Sequence, residues 1–244
     1  MLVAAAAHSP ASTALPRRRR RAAAPPSRKT PESQALRSIL HSRVIACLRA
    51  QDGETAMQAA RAAVRGGVSV LEIVMSTPGA LEVVIGDLRR SYPSLTFGVG
   101  TVLNPEDARK AITAGAQFLM SPGTVMEILH ALKESEVLCI PGVLTPTEVI
   151  SASNAGAEVV KVYPVSVMGG EVYMLALKKP FPFLPMVASQ GISIDSIKGY
   201  LEAGASAVVL SDAIFDKELM RERKFDEISE LANLATLRAS QSGT

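Results

Sequence analysis

The sequence predicts a (β/α)8 barrel of α/β class in a single domain over residues 36–244, and three observations predict it. Eight apolar segments rich in β-branched residues recur from about residue 36, each separated from the next by a helical pattern. The segments are apolar nearly throughout instead of alternating with polar residues, as strands of a parallel sheet buried on both faces are. Glycine-containing turns send the chain back at intervals: "RGG" at 65–67 and "AGA" at 114–116, 155–157 and 203–205 each precede an apolar segment. Eight such units fit a closed barrel better than an open doubly wound sheet, whose G-x-G-x-x-G after the first strand is missing here.

The strands follow in order. The first is "VIACLRA" (44–50), the second "VLEIVMST" (70–77) and the third "TFGVGTVL" (96–103). After the third comes "NPEDARKAITAGA", a helix with Asn104 as its cap, proline at its first position and glycine at its end. The fourth strand is "FLMSPG" (118–123), the fifth "VLCIPGVL" (137–144) and the sixth "EVVKVYP" (158–164). "PMVASQG" (185–191) and "AVVLSDAIF" (207–215) complete the set. The domain is short for a barrel, so its loops must be short.

Composition narrows the function. At 48% hydrophobic and 20% charged residues the chain reads as an ordinary globular protein, and no apolar run approaches the roughly 20 residues of a membrane helix, so no membrane partner is expected. Cys47 and Cys139 have no CxxC or metal-ligand spacing and read as free buried thiols. His8, His41 and His130 fall outside any segment suited to a site, which argues against a histidine triad and against a histidine-ligated metal. The net charge of +3 is set by the first 30 residues, which hold seven basic residues and no acid; 19 basic residues remain against 23 acidic ones, a net −4. Residues 1–35, rich in Ala, Ser, Pro and Arg, therefore read as a disordered transit peptide, for the plastid stroma ahead of the mitochondrion. The other reading of such an arm is nucleic-acid binding. It finds no basic surface in the acidic remainder to work with, so no nucleic-acid partner is expected.

In a barrel of this kind chemistry gathers where strands end. The polar residues there are Arg49, Glu72, Thr101, Ser121, Thr145, Lys161, Ser189, Gln190, Ser211 and Asp212. Lys161 stands out, because Val159, Val160 and Val162 surround it in a segment buried on both faces. It could snorkel outward through the helical layer. Alternatively it is a nucleophile, since burial favours the neutral amine that attacks a ketone. Glu72 repeats the puzzle among Leu71, Ile73 and Val74. It could be the ion-pair partner of Lys161 or Arg49, or an acid/base that moves protons for the lysine.

"VIACLRA", "GGVSVLEIVMSTP", "GVGTVLNPEDARKAITAGAQFLMSPG" and "IPGVLTPTEVISASNAGAEVVKVYP" resemble, in order, the 2-keto-3-deoxy-6-phosphogluconate / 4-hydroxy-2-oxoglutarate (KDPG/KHG) aldolase family, and the leader suggests a plant organellar-type member. The resemblance covers residues 36 to 237 and implies a class I aldolase on a (β/α)8 barrel. Its substrate would be a small 2-keto-4-hydroxy acid, cleaved reversibly to pyruvate and an aldehyde with no cofactor or metal. It assigns Lys161, in the K-x-[FY]-P context, as the Schiff-base lysine and Glu72 as its general acid/base. Arg49 would bind the substrate carboxylate. Thr101, Ser121 and Pro122 would shape the pyruvate pocket, with Pro141 and Tyr163 as walls and Ser189 at the neighbouring strand end. The family also implies a homotrimer.

The pattern breaks at the phosphate site. Members that handle a 6-phosphate carry T-G-G-[IV] and G-x-G-S, whose backbone N–H groups cradle phosphate. Here Ser189, Gln190, Gly191 and Ile192 stand for the first, and Val209 to Asp212, including Ser211, for the second. A carboxylate at Asp212 about 4 Å from a phosphate, at an effective dielectric near 20, costs roughly 4 kcal/mol per charge pair. The milder reading is that Asp212 caps the following helix. The altered site points to an unphosphorylated substrate such as 4-hydroxy-2-oxoglutarate. Glu72-Ile73-Val74 stands for the family's E-x-T, and Ser76 replaces an arginine that some members carry. Two rival readings are a weakened barrel that binds a keto acid as a regulatory protein, and a class II aldolase holding a metal on Glu72 and Asp212.

Overall fold

The computed structural model describes residues 33–241 except 80, 82–84 and 134. Most of the leader assigned to targeting, residues 1–32, lies outside the described residues. Glu32–Thr244 forms one compact unit. Its strands are Val44–Leu48 (β1), Val70–Val74 (β2), Thr96–Gly100 (β3), Phe118–Met120 (β4), Leu138–Ile140 (β5), Gly142–Val143 (β6), Val160–Val162 (β7), Met186–Ser189 (β8) and Ala207–Leu210 (β9). They pair in parallel in the order β5-β4-β3-β2-β1-β9-β8-β7-β6.

The two ends of that order are one strand. Only Pro141, which has no N–H, separates β5 from β6. On one side Ser121 N–H donates to the carbonyl of Ile140 (3.3 Å), and on the other Lys161 N–H donates to the carbonyl of Pro141 (2.8 Å). The sheet is therefore closed, and the eight predicted strands appear with the fifth interrupted at its proline. Several strands are shorter than predicted. Arg49, Thr101, Ser121 and Ser211 each lie one residue past a strand end, on the loops.

The helices are Gln34–Ser42 (α1), Gly53–Arg65 (α2), Ile85–Ser91 (α3), Pro105–Ala114 (α4), Met126–Ala131 (α5), Pro146–Asn154 (α6), Gly170–Lys178 (α7), Ile197–Glu202 (α8), Lys217–Arg221 (α9) and Phe225–Gln241 (α10). Asn104 caps α4 as predicted, accepting from Asp107 N–H at 2.9 Å, with Pro105 first in the helix. Gly115, Gly156 and Gly204 take left-handed φ values of 101°, 102° and 97°, and at the "RGG" turn it is Gly67 that does so. Thr145, one of the strand-end polar residues, plays a structural part, forming with Glu148 the capping box that starts α6.

Strand alternation produces two cores. Val44, Ala46 and Leu48 of β1 join Leu71 and Ile73 of β2 and the apolar faces of α2 and α10 in the layer between barrel and helices. Ile45, Val70, Phe118, Ile140, Val159, Val187 and Val209 fill the barrel interior. Ala35, Leu36 and Ile39 of α1 belong to this inner core. Arg43 alone separates α1 from β1, so α1 forms a floor across the N-terminal ends of the strands.

Candidate active site

Glu72 lies two residues beyond Val70 on β2, and Lys161, the middle residue of β7, lies two beyond Val159, which immediately precedes that strand. A period of two keeps each on the inward face of its strand. Glu72 is 3% exposed and Lys161 6%, and among the described residues no other Lys, Arg, His, Asp or Glu is buried. Both charged positions that the sequence singled out therefore sit inside the barrel, and Lys161 does not snorkel.

Two glycines of β3 make room inside. A side chain at Gly98 would overlap the Phe118 ring, and one at Gly100 would overlap Glu72 Oε1. The Glu72 carboxyl thus lies against bare backbone of the adjacent strand. On its other side β1 pairs with β2 in a register that sets Cys47 opposite Glu72, and the Cys47 thiol and the Glu72 carboxyl are hydrogen bonded. Burial pushes Glu72 above the usual carboxylate range, against the opposing pull of Lys161, the Cys47 hydrogen bond and Arg49. Burial, reinforced by the Glu72 charge, drives the Cys47 thiol far above its ordinary value, so it stays protonated. Lys161 Nζ also stands 5.1 Å from the ring centroid of Tyr163, a cation–π distance.

The remaining predicted residues surround this interior at the C-terminal end of the strands. Arg49 is exposed, two residues beyond Cys47, and its charge reaches Glu72. Thr101 is half-buried with φ 60°, which turns the chain off β3. Ser121, Pro141 and Ser189 are buried, and Pro122 is half-buried. A side chain at Gly142 would strike the Pro122 carbonyl, so β6 packs directly on that turn. Tyr163 is 36% exposed.

At the ends of β8 and β9 the arrangement differs. Gln190 and Gly191 both have positive φ, 86° and 69°, and Ser166 Oγ donates to Gln190 Oε1 at 2.6 Å. Ser166 also fills the space that a side chain at Gly191 would need. The Ser211 carbonyl accepts from Ile214 and Phe215 N–H groups in the turn that follows. Asp212 is exposed, with its carboxylate 3.7 Å from Lys217 Nζ. It does not cap the next helix: Asp216 does, accepting from Glu218 and Leu219 N–H groups at 2.8 and 3.1 Å. Glu72 and Asp212 occupy different settings, one inside the barrel and one in solvent. The described residues contain no group of three or more acidic, histidine or cysteine side chains suited to a metal.

Two participants escaped the sequence reading. Cys47 and Cys139 are free but half-buried, and Cys47 touches the buried acid. Its place between Ile45 and Arg49 on one strand face was the available signal. Gly100 was legible only as part of a G-x-G inside a strand, the pattern that marks close approach of another group. A separate hollow of about 280 Å³ flanked by Leu40, Arg43, Leu201 and Ala205 adjoins the strand N-termini, at the end of the barrel away from the rim residues.

A closed parallel barrel with a lysine and a glutamate as its buried charges defines the class: an aldolase-type (β/α)8 barrel. The KDPG and KHG aldolase family matches residues 36–231, and the chain belongs to that family, whose members are lyases. It is 31% identical over 187 residues to the 2-dehydro-3-deoxy-phosphogluconate aldolase of Dickeya dadantii, covering 77% of this chain and 87% of that protein. It is also 31% identical over 182 residues to the KHG/KDPG aldolase of Escherichia coli K12, covering 75% and 85%. Among solved structures it is similar to the KDPG aldolase of Legionella pneumophila, captured with pyruvate as a covalent carbinolamine. That match has a TM-score of 0.74 and 28% identity, over 82% of this chain and 97% of that one.

Proposed function

We propose that the protein is a class I aldolase that cleaves a 2-keto-4-hydroxy acid reversibly to pyruvate and an aldehyde, with Lys161 as the imine-forming nucleophile. The observation that carries this is the burial of Lys161 and Glu72 on inward faces of one barrel, close enough for the lysine to pull down the glutamate's proton affinity. The neutral Lys161 amine attacks the C2 ketone to give a carbinolamine. Protonated Glu72 gives its proton to the departing hydroxyl, so water leaves and an iminium forms. The Glu72 carboxylate then takes the C4 hydroxyl proton as the C3–C4 bond breaks. The electron pair of that bond passes into the iminium, leaving an enamine and a free aldehyde. Return of the proton to C3 and hydrolysis of the imine release pyruvate. A carboxyl lifted by burial gains and loses a proton nearer neutrality than a solvated one. Arg49 holds the substrate carboxylate at the rim, and Thr101, Ser121, Pro122, Pro141, Tyr163 and Ser189 enclose the pyruvate moiety.

The substrate is unphosphorylated, 4-hydroxy-2-oxoglutarate or a close analogue. Supporting this, the Gln190 side chain is tied to Ser166 and an acid stands at position 212. The residues before Ser33 act as a transit peptide, to the plastid stroma ahead of the mitochondrion, and the expected boundary at 35 moves back because Ser33 caps α1 and Ala35 belongs to the inner core; the mature chain associates with itself as a trimer. Uncovered apolar side chains within residues 167–183, Val167, Val172, Leu175 and Phe183, fit such association.

The test is intact-protein mass after borohydride reduction with pyruvate, on residues 33–244 and on Lys161→Met. An adduct that maps to Lys161 and vanishes in the variant is the expected result. No adduct on folded protein would overturn the proposal in favour of a keto-acid binding protein. Steady-state cleavage of the phosphorylated and unphosphorylated acids then tests the substrate.

A further inference from the structure

Cys47 is a thiol that the proposed reaction does not use, on the barrel's inner face, in register with the acid that the reaction does use. The elements around Glu72 present few groups to it. β3 offers only the bare backbone of Gly98 and Gly100, β7 brings Lys161, and β1 with the residue after it brings Cys47 and Arg49. Lys161 is committed to the substrate carbonyl and Arg49 is exposed at the rim. Cys47 is therefore the neutral donor left to fix the carboxyl's orientation. A thiol this resistant to ionisation stays a donor and does not become a competing nucleophile or a second anion.

From this geometry we infer that Cys47 is a positioning residue for Glu72: its S–H donates to the carboxyl, holds it against Gly100 and aims it at Lys161. The inference rests on the proposed role of Glu72. It adds a specific requirement, that position 47 carry a small side chain with a donor. A hydrogen bond to the carboxylate favours the ionised form, so losing it makes Glu72 harder to deprotonate.

The experiment compares wild type, Cys47→Val and Cys47→Ser. Valine is close in volume and has no donor, whereas serine keeps one. Glu72 is titrated in each by carbon NMR on protein carrying carboxyl-labelled glutamate, with Glu72→Gln identifying its signal, and kcat is measured against pH, because C3–C4 cleavage within the bound complex is the step that needs the Glu72 carboxylate. In Cys47→Val the Glu72 midpoint moves upward and the acid limb of the profile moves with it, costing about tenfold at a fixed pH on that limb. Cys47→Ser restores both. An unchanged midpoint and limb in a folded Cys47→Val protein, or a loss of melting temperature alone, would overturn the inference. Failure of the Lys161 chemistry is seen separately, as absence of the reduced pyruvate adduct in wild type, while the Glu72 midpoint still reports on Cys47.

Discussion

Gly100→Ala isolates the placement of Glu72 from its chemistry. The substitution changes no ionisable group, and Gly100 does not have the positive φ that would make alanine itself strained. The added methyl carbon, however, would stand at less than half an ordinary contact distance from Glu72 Oε1. Strand β3 is hydrogen bonded on both sides, to β2 and β4, so the side chain yields before the backbone does. The carboxyl then retreats by more than ~1 Å, and a displacement of that size at a reacting group costs about a hundredfold in rate, or ~2.7 kcal/mol of transition-state stabilisation. The assay is kcat/KM for cleavage of 4-hydroxy-2-oxoglutarate, with circular dichroism and the melting temperature confirming the fold. Borohydride trapping of pyruvate on Lys161 should slow without being lost, because the proposed nucleophile is untouched. A folded Gly100→Ala enzyme with full kcat/KM would refute the claim that Glu72 must occupy this position to work.

Other outcomes follow from the same geometry. Lys161→Met should lower turnover by at least about a thousandfold and abolish the trapped adduct; residual turnover near wild type would exclude an imine at this lysine. Burial holds the proton on Glu72 more tightly in the folded chain than in the unfolded one. Its contribution to stability is therefore complete below the ordinary glutamate range and is lost as pH rises through the folded value. Glu72→Gln should accordingly gain melting temperature relative to wild type as pH climbs from about 4 toward neutrality, and a difference constant with pH would count against the assignment. Asp212→Asn should improve cleavage of a phosphorylated substrate by about tenfold or less, since the carboxylate is exposed and beside Lys217. A much larger gain would show that Asp212 acts on substrate in a drier setting.

What the sequence revealed depended on whether a feature was local. The helix caps and helix-end glycines could be read directly, because Asn104, Pro105 and Gly115 act within a few residues of where they stand. Lys161 and Glu72 were legible as charges in apolar strands, an anomaly visible without knowing what lies opposite. That both point inward was left open by the sequence and is settled by the structure, where each lies two residues beyond an inner-core valine, Val70 and Val159. The break at Pro141 was not foreseen: an apolar octapeptide looks continuous, although proline cannot supply the ladder N–H that a central strand uses. Cys47 and Gly100 were missed for a different reason. Their meaning lies across strand pairs, in the registers Cys47 with Glu72 and Val74 with Gly100, and register between sequence-distant strands is not written in either strand alone. Asp212 shows the limit from the other side. Its charge was read correctly, but the roughly 4 kcal/mol repulsion assumed a partly dehydrated pair, and the exposure of its side chain reduces that figure to nearer 1 kcal/mol.

The floor that α1 lays across the barrel bears on the order of catalytic events. With Ala35, Leu36 and Ile39 filling the N-terminal end, reactants and products share a single doorway at the opposite rim. In the proposed reaction the pyruvyl fragment is tethered to Lys161, while the aldehyde is cut free on the side toward that doorway. Release should then be sequential, aldehyde before pyruvate, and in the synthetic direction pyruvate must load before its partner. Product-inhibition patterns should accordingly be those of an ordered mechanism, with pyruvate alone competing against the cleavage substrate for the free enzyme.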